Sequence, residues 1–366
     1  GDVYKRQWYH GEKGRQRVSG PELLMVAALL VIAGVAVSML GGGPGRPEPT
    51  ETIPTPPADG GRVPLAVMPF EDHSPNPEEA WFADGVQEDI RTALGRISAI
   101  SLRGQSSVER FRDERPDVRE IASNLGVAYL VEGSARIIGE QARVVVHLID
   151  GEADEEVWSE VYDTLLSMPA VTAIQGNIAE AVATEVGARI APAERAANTA
   201  LPTEDLLAYQ FVHQATGLWN RRTEREVREA IRLYREAINR DPGYAEAHAG
   251  LADALIILPE YNWASADEVN AEAISAAGRA LTLNPSLAGA HVSLAGVRQA
   301  VRDWASAEEH YRQALALDPD HAYGRFWYSL LLDCLGRHDE ALEHATLAME
   351  LDPLSPQIDA ALWGNY

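Results

Sequence analysis

The chain has 366 residues and a formal net charge of −24 at pH 7. This length exceeds one ordinary domain and leaves room for two cores with connecting segments. The acidic excess lies within residues 62–366, and such a body repels phosphate backbones and anionic lipid surfaces, which excludes nucleic acid as the ligand of this region.

The amino-terminal segment has the opposite charge. Residues 1–40 carry five Lys or Arg against three Asp or Glu. The chain opens on Gly1, and its first seven residues, GDVYKRQ, are typical of a cloning scar. We therefore expect a native protein that continues beyond both ends, with residues 1–22 as a truncated cytoplasmic fragment.

Residues 23–40 predict a transmembrane helix. The run LLMVAALLVIAGVAVSML holds 18 residues without a charge, and as a helix it reaches about 27 Å, close to the hydrocarbon thickness of a bilayer. Lys and Arg precede it, so the positive-inside rule predicts a single pass through a bacterial inner membrane, with the amino terminus cytoplasmic and residues 41–366 periplasmic. A cleaved signal peptide is the alternative, since Ala36 and Ser38 are small residues at suitable spacing.

Residues 41–61 are rich in Gly and Pro and predict an extended linker. The next segment, residues 62–195, predicts an α+β domain with helices on one mixed sheet. Its order is strand, helix, strand, helix, three strands and helix. The predicted strands are VPLAVMPF (63–70), AISL (99–102), VAYLVEGSARII (127–138), ARVVVHLID (142–150) and EVWSEVYD (156–163).

Apolar residues at helical spacing mark the first and last helices of this domain. The carboxylates of the first helix, Asp84, Glu88 and Asp89, are expected mainly on its solvated side. Between the first and last helices, a short helix has a capping box at Asp117 and Glu120 and ends at Gly126. The two stripes are Phe82, Val86, Ile90, Leu94 and Ile97, then Val171, Ile174, Ile178, Val182, Val186 and Ile190.

Four strings occur in order along residues 63 to about 192: LAVMPFED, WFADGVQEDIRTALGRI, DVREIASNLGVAYLVEGSAR and VVVHLIDGEADEEVWSEVYD. Together they resemble the TolB amino-terminal-like domain, also called FlgO-like, which occurs in bacterial envelope proteins and in exported halves of signalling proteins. The resemblance implies partner binding in the periplasm and brings no established catalytic residues.

A repeat marks the carboxy-terminal region. Pro242, Pro285, Pro319 and Pro353 each follow Asp or Asn, with intervals of 43, 34 and 34 residues. Small or aromatic residues precede each Pro at twelve, eight and five positions, which lets paired helices approach closely. These residues are Ala230, Tyr234, Ala237; Ala273, Ala277, Ala280; Ala307, Tyr311, Ala314; and Ala341, Ala345, Ala348.

After each Pro, the sixth, ninth and tenth residues are expected to face the core. The pattern resembles the tetratricopeptide repeat, and it implies an all-α superhelix over residues 205–366. A first helix is expected at 208–219 and a broken final one at 356–366, where Asp359 and Trp363 depart from the small-residue pattern. The core set is His248, Leu251, Ala252; His291, Leu294, Ala295; and Arg325, Tyr328, Ser329.

The resemblance to this repeat implies a concave groove that binds peptides or partner helices. Ordinary solvated helix surface is the alternative for each groove position. The paired Lys and Asn with which some repeat proteins hold a terminal carboxylate are missing, so that ligand is not predicted. The groove positions are Glu246, Ala249, Asp253 and Ile256, then Gly289, Val292, Gly296 and Gln299, then Tyr323, Phe326, Leu330 and Asp333.

No catalytic, cofactor or metal-binding residues are predicted. The histidines form no HExxH or zinc pattern, no Walker loop occurs, and Cys334 lies in an apolar run that predicts a buried thiol. Two hypotheses remain. The chain is a membrane-anchored interaction or sensing scaffold that binds proteins, with a second copy of itself as a further partner, or it is the regulatory half of a class III nucleotide cyclase or winged-helix regulator.

Overall fold

The computed structural model describes residues 61–113 and 115–359. The predicted transmembrane helix, residues 23–40, and all but the last residue of the predicted linker lie outside them. Within the described part of the chain, no helix is both long and apolar enough to cross a bilayer. The predicted mixed sheet and the predicted helical superhelix are both present, in that order.

The strands form one mixed sheet, as the alternating apolar runs predict. Their bounds are β1, Val63–Val67; β2, Glu71–Asp72; β3, Ile100–Leu102; β4, Tyr129–Ile138; β5, Gln141–Asp150; and β6, Glu155–Leu165. The sheet order is β3-β1-β4-β5-β6, with β2 paired to β4. β1 lies parallel to β3 and β4, whereas β4, β5 and β6 run antiparallel. β6 is therefore an outer strand.

Helices cover the sheet. They are α1, Trp81–Gly95; α2, Gln105–Glu109; α3, Val118–Leu125; α4, Met168–Glu185; and α5, Pro192–Asn198. The predicted apolar stripe of α1 is confirmed for Phe82, Val86, Ile90 and Leu94, each at most 1% exposed. Ile97 is also buried, but it lies beyond the end of the helix. Buried residues of α1 and α4 share one core with the sheet, and those of α3 pack in a second, smaller cluster with β1 and β4.

The predicted end of the last helix of this domain is wrong. α4 ends at Glu185 because Gly187 adopts a left-handed φ of 70°, so Ile190 lies outside the helix. α2 and α5 are not predicted, since each is too short to establish a helical period. The turn at Gly139 joins β4 to β5 as a two-residue hairpin, as predicted.

Eight further helices follow as four antiparallel pairs within the described residues. The first helices of the pairs are α6, Leu206–Asn220; α8, Ala245–Glu260; α10, Ala288–Ala300; and α12, Ala322–Cys334. The second helices are α7, Glu224–Arg240; α9, Ala266–Leu283; α11, Trp304–Leu317; and α13, His338–Leu351. A further turn of helix begins at Pro356, where a final helix is predicted.

The predicted repeat register is confirmed by burial. All twelve residues at the fixed offsets before the four prolines are at most 8% exposed, and most of the alanines are completely buried. Ala314 on α11, for example, has 0% exposure. A methyl side chain at these positions allows the two helices of each pair to pack closely.

The sixth residue after each of three prolines has a shared role. His248 Nε2 lies 3.2 Å from the carbonyl of Pro242, and His291 Nε2 lies 3.2 Å from that of Pro285. Arg325 Nε donates to the carbonyl of Pro319 at 2.7 Å. His248 and Arg325 are half-buried, not core residues as predicted, because their polar ends cover an exposed turn.

The prediction that the thiol of Cys334 is buried is wrong. It is the last residue of α12 and its side chain is exposed. The apolar run around it is helical, and Leu331 and Leu332 are buried at 0% exposure. The next positions along the helix therefore turn toward solvent, so the local hydrophobicity of the sequence does not predict the burial of this thiol.

Candidate protein-binding surface

The first helices of the repeats form the inner side of the superhelix. α6 contacts α8, α8 contacts α10, and α10 contacts α12, so these helices lie closer together than the second helices do. Every predicted groove residue lies on α8, α10 or α12. The predicted groove residues thus lie on the inner helices, and binding at these residues remains a prediction.

The predicted groove residues do not all reach this surface. Glu246, Ala249, Asp253, Ile256, Val292, Gln299, Tyr323 and Leu330 are half-buried. Phe326 is only 7% exposed and packs in a core with Ala348 and Leu351, so its place in the groove is wrong. Asp333 is exposed at the carboxyl end of α12, where it lies 2.7 Å from His338 Nδ1.

A cluster around Arg222 brings several of these positions together. Arg222 follows α6 with a left-handed φ of 54°. Its guanidinium carbon lies 3.8 Å from the centre of the Trp219 ring and 6.0 Å from that of Tyr323. α6 and α12 belong to the first and last pairs, so the curvature of the superhelix brings its two ends near each other.

The charge of Arg222 also acts on two carboxyl groups. Burial raises the pKa of Asp253 to about 6, although Ser293 Oγ contacts its carboxylate and the charge of Arg222 acts in the opposite direction. Burial also raises the pKa of Glu260 to about 7, against the charge of Arg222, even though this side chain still reaches solvent. The cluster thus combines one cation, a half-buried acid, an exposed acid and aromatic rings.

The sheet domain packs on the first repeat. α1 contacts α6, and the two regions belong to one compact unit. Asp89 of α1 receives a hydrogen bond from Tyr209 of α6, and Gln175 of α4 donates to the same carboxylate at 2.6 Å. Tyr209 is 1% exposed and Gln175 is 8% exposed. A buried polar cluster therefore joins three helices across the interface.

His213 completes this cluster. It is 7% exposed, and its Nε2 lies 3.5 Å from Asp89 Oδ2 without a hydrogen bond to any described residue. Burial by itself lowers the pKa of His213, but the carboxylates of Asp89, Glu88 and Asp84 together outweigh it, so this pKa is raised above its ordinary value. Gly85 allows the close packing, because a Cβ there would lie 2.9 Å from His213 Cγ.

The carboxylates of α1 correct the prediction that they are mainly solvated. Asp84 pairs with Arg112 at 2.9 Å with 42% of its side chain exposed, whereas Glu88 and Asp89 are 28% and 24% exposed and lie toward the repeats. Burial raises the pKa of the groove residue Glu246, and charges of the sheet domain act on it too. The chain's own sheet domain therefore lies close to one end of the predicted groove.

A second contact joins the sheet domain to the last repeats. Arg62, just before β1, pairs with Asp320 at 2.5 Å. The N–H of Gly104 donates to the carbonyl of Leu351 at 2.7 Å. Asp320 lies in the turn before α12, and Leu351 is the last residue of α13. The sheet domain is thus held at both ends of the superhelix.

Few of the residues in the Arg222 cluster and the interface carry a sequence signal. Tyr209 and His213 are four positions apart on α6, which places them on one helix face. Arg222 carries no signal, since its position depends on a left-handed backbone that non-glycine residues seldom adopt. Within the described residues no three His, Cys, Asp or Glu side chains converge to hold a metal ion.

Residues 220–262 and 294–356 match the family model of the tetratricopeptide repeat. The helical pairs at the carboxy-terminal side are tetratricopeptide repeats. The two matched segments include the inner helices α8 and α12, which carry Asp253 and Tyr323. The intervening segment contains α9, where the interval between prolines is 43 residues instead of 34.

The chain is similar to a curated protein of Rhizobium meliloti (strain 1021) that is provisionally named adenylate cyclase 3. The two are 29% identical over 253 residues, which cover 68% of this chain and 41% of the relative. The chain thus matches less than half the length of this relative.

Solved structures with tetratricopeptide repeats are similar over part of the chain. A thermophilic repeat protein of Thermus thermophilus is 23% identical over 52% of this chain and 89% of its own, with a TM-score of 0.34. MamA is 22% identical over 37% and 73%, with a TM-score of 0.29. The first repeat domain of Spaghetti (RPAP3), bound to an HSP90 peptide, is 20% identical over 36% and 96%, with a TM-score of 0.30.

Proposed function

We propose that this chain is a protein-binding scaffold that senses conditions in the bacterial periplasm. Its repeats bind a partner on the concave surface, and its sheet domain, which resembles the TolB amino-terminal-like domain, provides a second binding surface. The observation that carries the proposal is the cluster in which Arg222, just after α6, lies beside Tyr323 of α12 and its charge acts on Asp253 of α8. Charged and aromatic groups on a curved surface are suited to an extended peptide or a helix.

Site-specific crosslinking tests the groove. A photoreactive residue at Ile256, on the inner side of α8, is expected to crosslink a discrete partner in an envelope extract. The matched control has the same residue at Leu317, which is 45% exposed on the outer helix α11. Arg222→Ala is expected to reduce the Ile256 adduct severalfold. Equal adducts from Ile256 and Leu317 would contradict a groove-specific partner.

The proposed location is testable with the natural thiol. We propose that residues 23–40 anchor the chain in the inner membrane and that residues 41–366 lie in the periplasm. Cys334 is the single cysteine of the chain and is exposed. A membrane-impermeant maleimide is expected to label it in cells whose outer membrane has been permeabilised, and Cys334→Ser is the control. Labelling only after lysis would place the repeats in the cytoplasm.

A second candidate function is regulation of a nucleotide cyclase. The similarity to a cyclase-named protein, of which this chain matches 41%, favours it. In that case the sheet domain and the repeats are the sensing part of a longer protein. The complete gene decides between the two, together with cyclase assays on its full product with and without the Arg222→Ala substitution. A complete gene without an effector domain would remove this candidate.

A further inference from the structure

β6 presents a free edge of the sheet. It is the last strand in the sheet order, and only β5 pairs with it among the described residues. It spans eleven residues, whereas β3 at the opposite edge spans three. Short edge strands resist pairing with other chains, and long ones invite it. The two edges of this sheet therefore differ in what they can bind.

The register identifies which backbone groups are free. The N–H of Leu166 donates to the carbonyl of Glu140 at 2.8 Å. Backbone groups alternate between the two sides of an antiparallel strand, so every second residue before Leu166, including Tyr162, faces β5 in the same way. Val161 and Asp163 lie between these positions. Their N–H and C=O groups consequently point away from the sheet and are available to another strand.

The edge lacks two of the features that protect natural edges. β6 contains no Pro and no Lys, and its only irregularity is a bulge near its start, opposite Leu148 and Ile149. Val157 is 40% exposed, Val161 is 47% exposed and Leu165 is 63% exposed. Apolar side chains thus stand in solvent beside unpaired backbone groups, which is the arrangement that strand addition uses.

The charge of the strand selects the partner. β6 carries Glu155, Glu156, Glu160 and Asp163 and no Arg or Lys. On the neighbouring strand β5, the only basic side chains are Arg143, which lies 3.6 Å from Asp163, and His147, which lies 2.6 Å from Glu156.

Like charges on facing strands repel, and opposite charges attract. A second copy of this chain would add four more carboxylates to the same ribbon. We propose that β6 is a docking edge for an extended basic segment of a partner protein, which adds a strand to the sheet. This surface is separate from the repeat groove, so the inference does not depend on the proposed function.

The test uses the full chain and a defined probe, an eleven-residue peptide in which Lys and Val alternate. Hydrogen exchange resolved to single amides is the measurement. When the peptide binds, the outward amides of Val161 and Asp163 are expected to exchange about tenfold more slowly, whereas the inward amide of Tyr162 is already protected. A peptide with Glu in place of Lys is expected not to bind.

Two variants make the test specific. Val161→Pro removes an outward donor without breaking a bond to β5, and it is expected to weaken peptide binding about tenfold. Unchanged protection of Tyr162 in this variant shows that the sheet is intact. Val161→Thr keeps the N–H and is expected to bind the peptide within about threefold of the wild type.

Four outcomes would overturn the proposal. The first is equal binding of the Glu and Lys peptides, and the second is binding without protection of the outward amides. The third is a free monomeric chain in which these amides are already protected, since another segment of the chain would then cover the edge. The fourth is a dimer that Val161→Pro dissociates, since the partner would then be a second copy.

Discussion

Asp352 accepts a hydrogen bond of 2.7 Å from the backbone N–H of Ser107, although the two residues lie 245 positions apart. Ser107 is in the first turn of α2, whose capping residue, Gly104, has no side chain to accept from it. Asp352 therefore supplies the missing cap from the last repeat. A Cβ on Gly104 would collide with the Asp352 carboxylate, so the glycine makes room for its own cap.

The equivalent residues of the other repeats accept hydrogen bonds from their own turns, and Asp241 also accepts one from Thr203 Oγ1 at 2.6 Å. Asp241 accepts from the N–H of Gly243 at 2.8 Å, and Asn284 accepts from that of Ser286 at 3.1 Å. In the last repeat the N–H of Leu354 instead donates to Ser107 Oγ at 2.8 Å. One sequence motif thus forms a turn in some repeats and a domain contact in another.

Asp352→Ala is expected to reduce the free energy of unfolding by about 1–3 kcal/mol, because the N–H of Ser107 loses its buried acceptor. Amides of residues 105–109 should also exchange faster. The control is Asn284→Ala, which removes only a local turn. If both variants leave the exchange of α2 unchanged, Asp352 does not cap this helix.

Gly85→Ala is expected to loosen the interface between α1 and α6, since its Cβ would lie 2.9 Å from His213 Cγ. Thermal denaturation should show a loss of about 1–3 kcal/mol. Gly278→Ala is the matched control, because no atom lies within 4 Å of a Cβ at this helical position. Replacing glycine within a helix should stabilise the protein there, by about 0.5–1 kcal/mol. A stabilised Gly85→Ala variant would refute the tight contact.

The contribution of His213 to stability is expected to depend on pH. Its pKa is raised in the folded protein, so its stabilising charge is fully present below its ordinary pKa, about 6.5, and is lost as the pH rises through the folded value. As the pH rises through the folded pKa, the melting temperature of the wild type should therefore fall relative to that of His213→Gln, by about 2–4 °C for each kcal/mol lost. The charged groups that face His213 are Asp84, Glu88, Asp89 and Glu246.

The difference between the two proteins is the quantity to measure, because other buried acids titrate in the same direction. Asp89→Asn should reduce the same pH-dependent difference, since Asp89 is the largest of the three charges that raise the pKa of His213. A constant difference between wild type and His213→Gln from pH 5 to pH 8 would mean that this histidine does not bind a proton in the interface.

Asp253→Asn is expected to stabilise the protein at pH 8 by about 1–2 kcal/mol and not at pH 4. The folded pKa of Asp253, about 6, exceeds its ordinary value because of burial. The contribution of Asp253 to the stability of the wild type is therefore complete below the ordinary pKa of the group and is lost as the pH rises through about 6. Glu309→Gln, on an exposed surface of α11, should give no such pH dependence. A stabilisation that is the same at both pH values would contradict the assignment.

Ala314→Leu is expected to cost about 1–3 kcal/mol, since three more carbon atoms enter a helix contact with no free space. Ala314 is 0% exposed, whereas Ala316, two positions later on α11, is exposed. Ala316→Leu is therefore the control and should change the melting temperature little. Equal effects of the two substitutions would contradict the repeat register.

The sequence by itself determined the order of strands and helices and the register of the repeats. Both depend on short-range periods: Val144, Val146 and Leu148 alternate along β5, and Ala307, Tyr311 and Ala314 share one face of α11. Side-chain direction follows directly from such spacing. Elements too short to show a period, such as α2, could not be predicted from the sequence.

Only the tertiary structure decided what these elements touch. Asp89 is predicted to be solvated, yet it lies beside His213 because the sheet domain folds back onto the first repeat. Asp352 and Asp241 stand in the same local motif, yet only Asp352 caps a distant helix. A residue's spacing fixes the face of the helix it occupies. Which surface meets that face depends on contacts between segments far apart in the chain, and local periodicity contains no information about them.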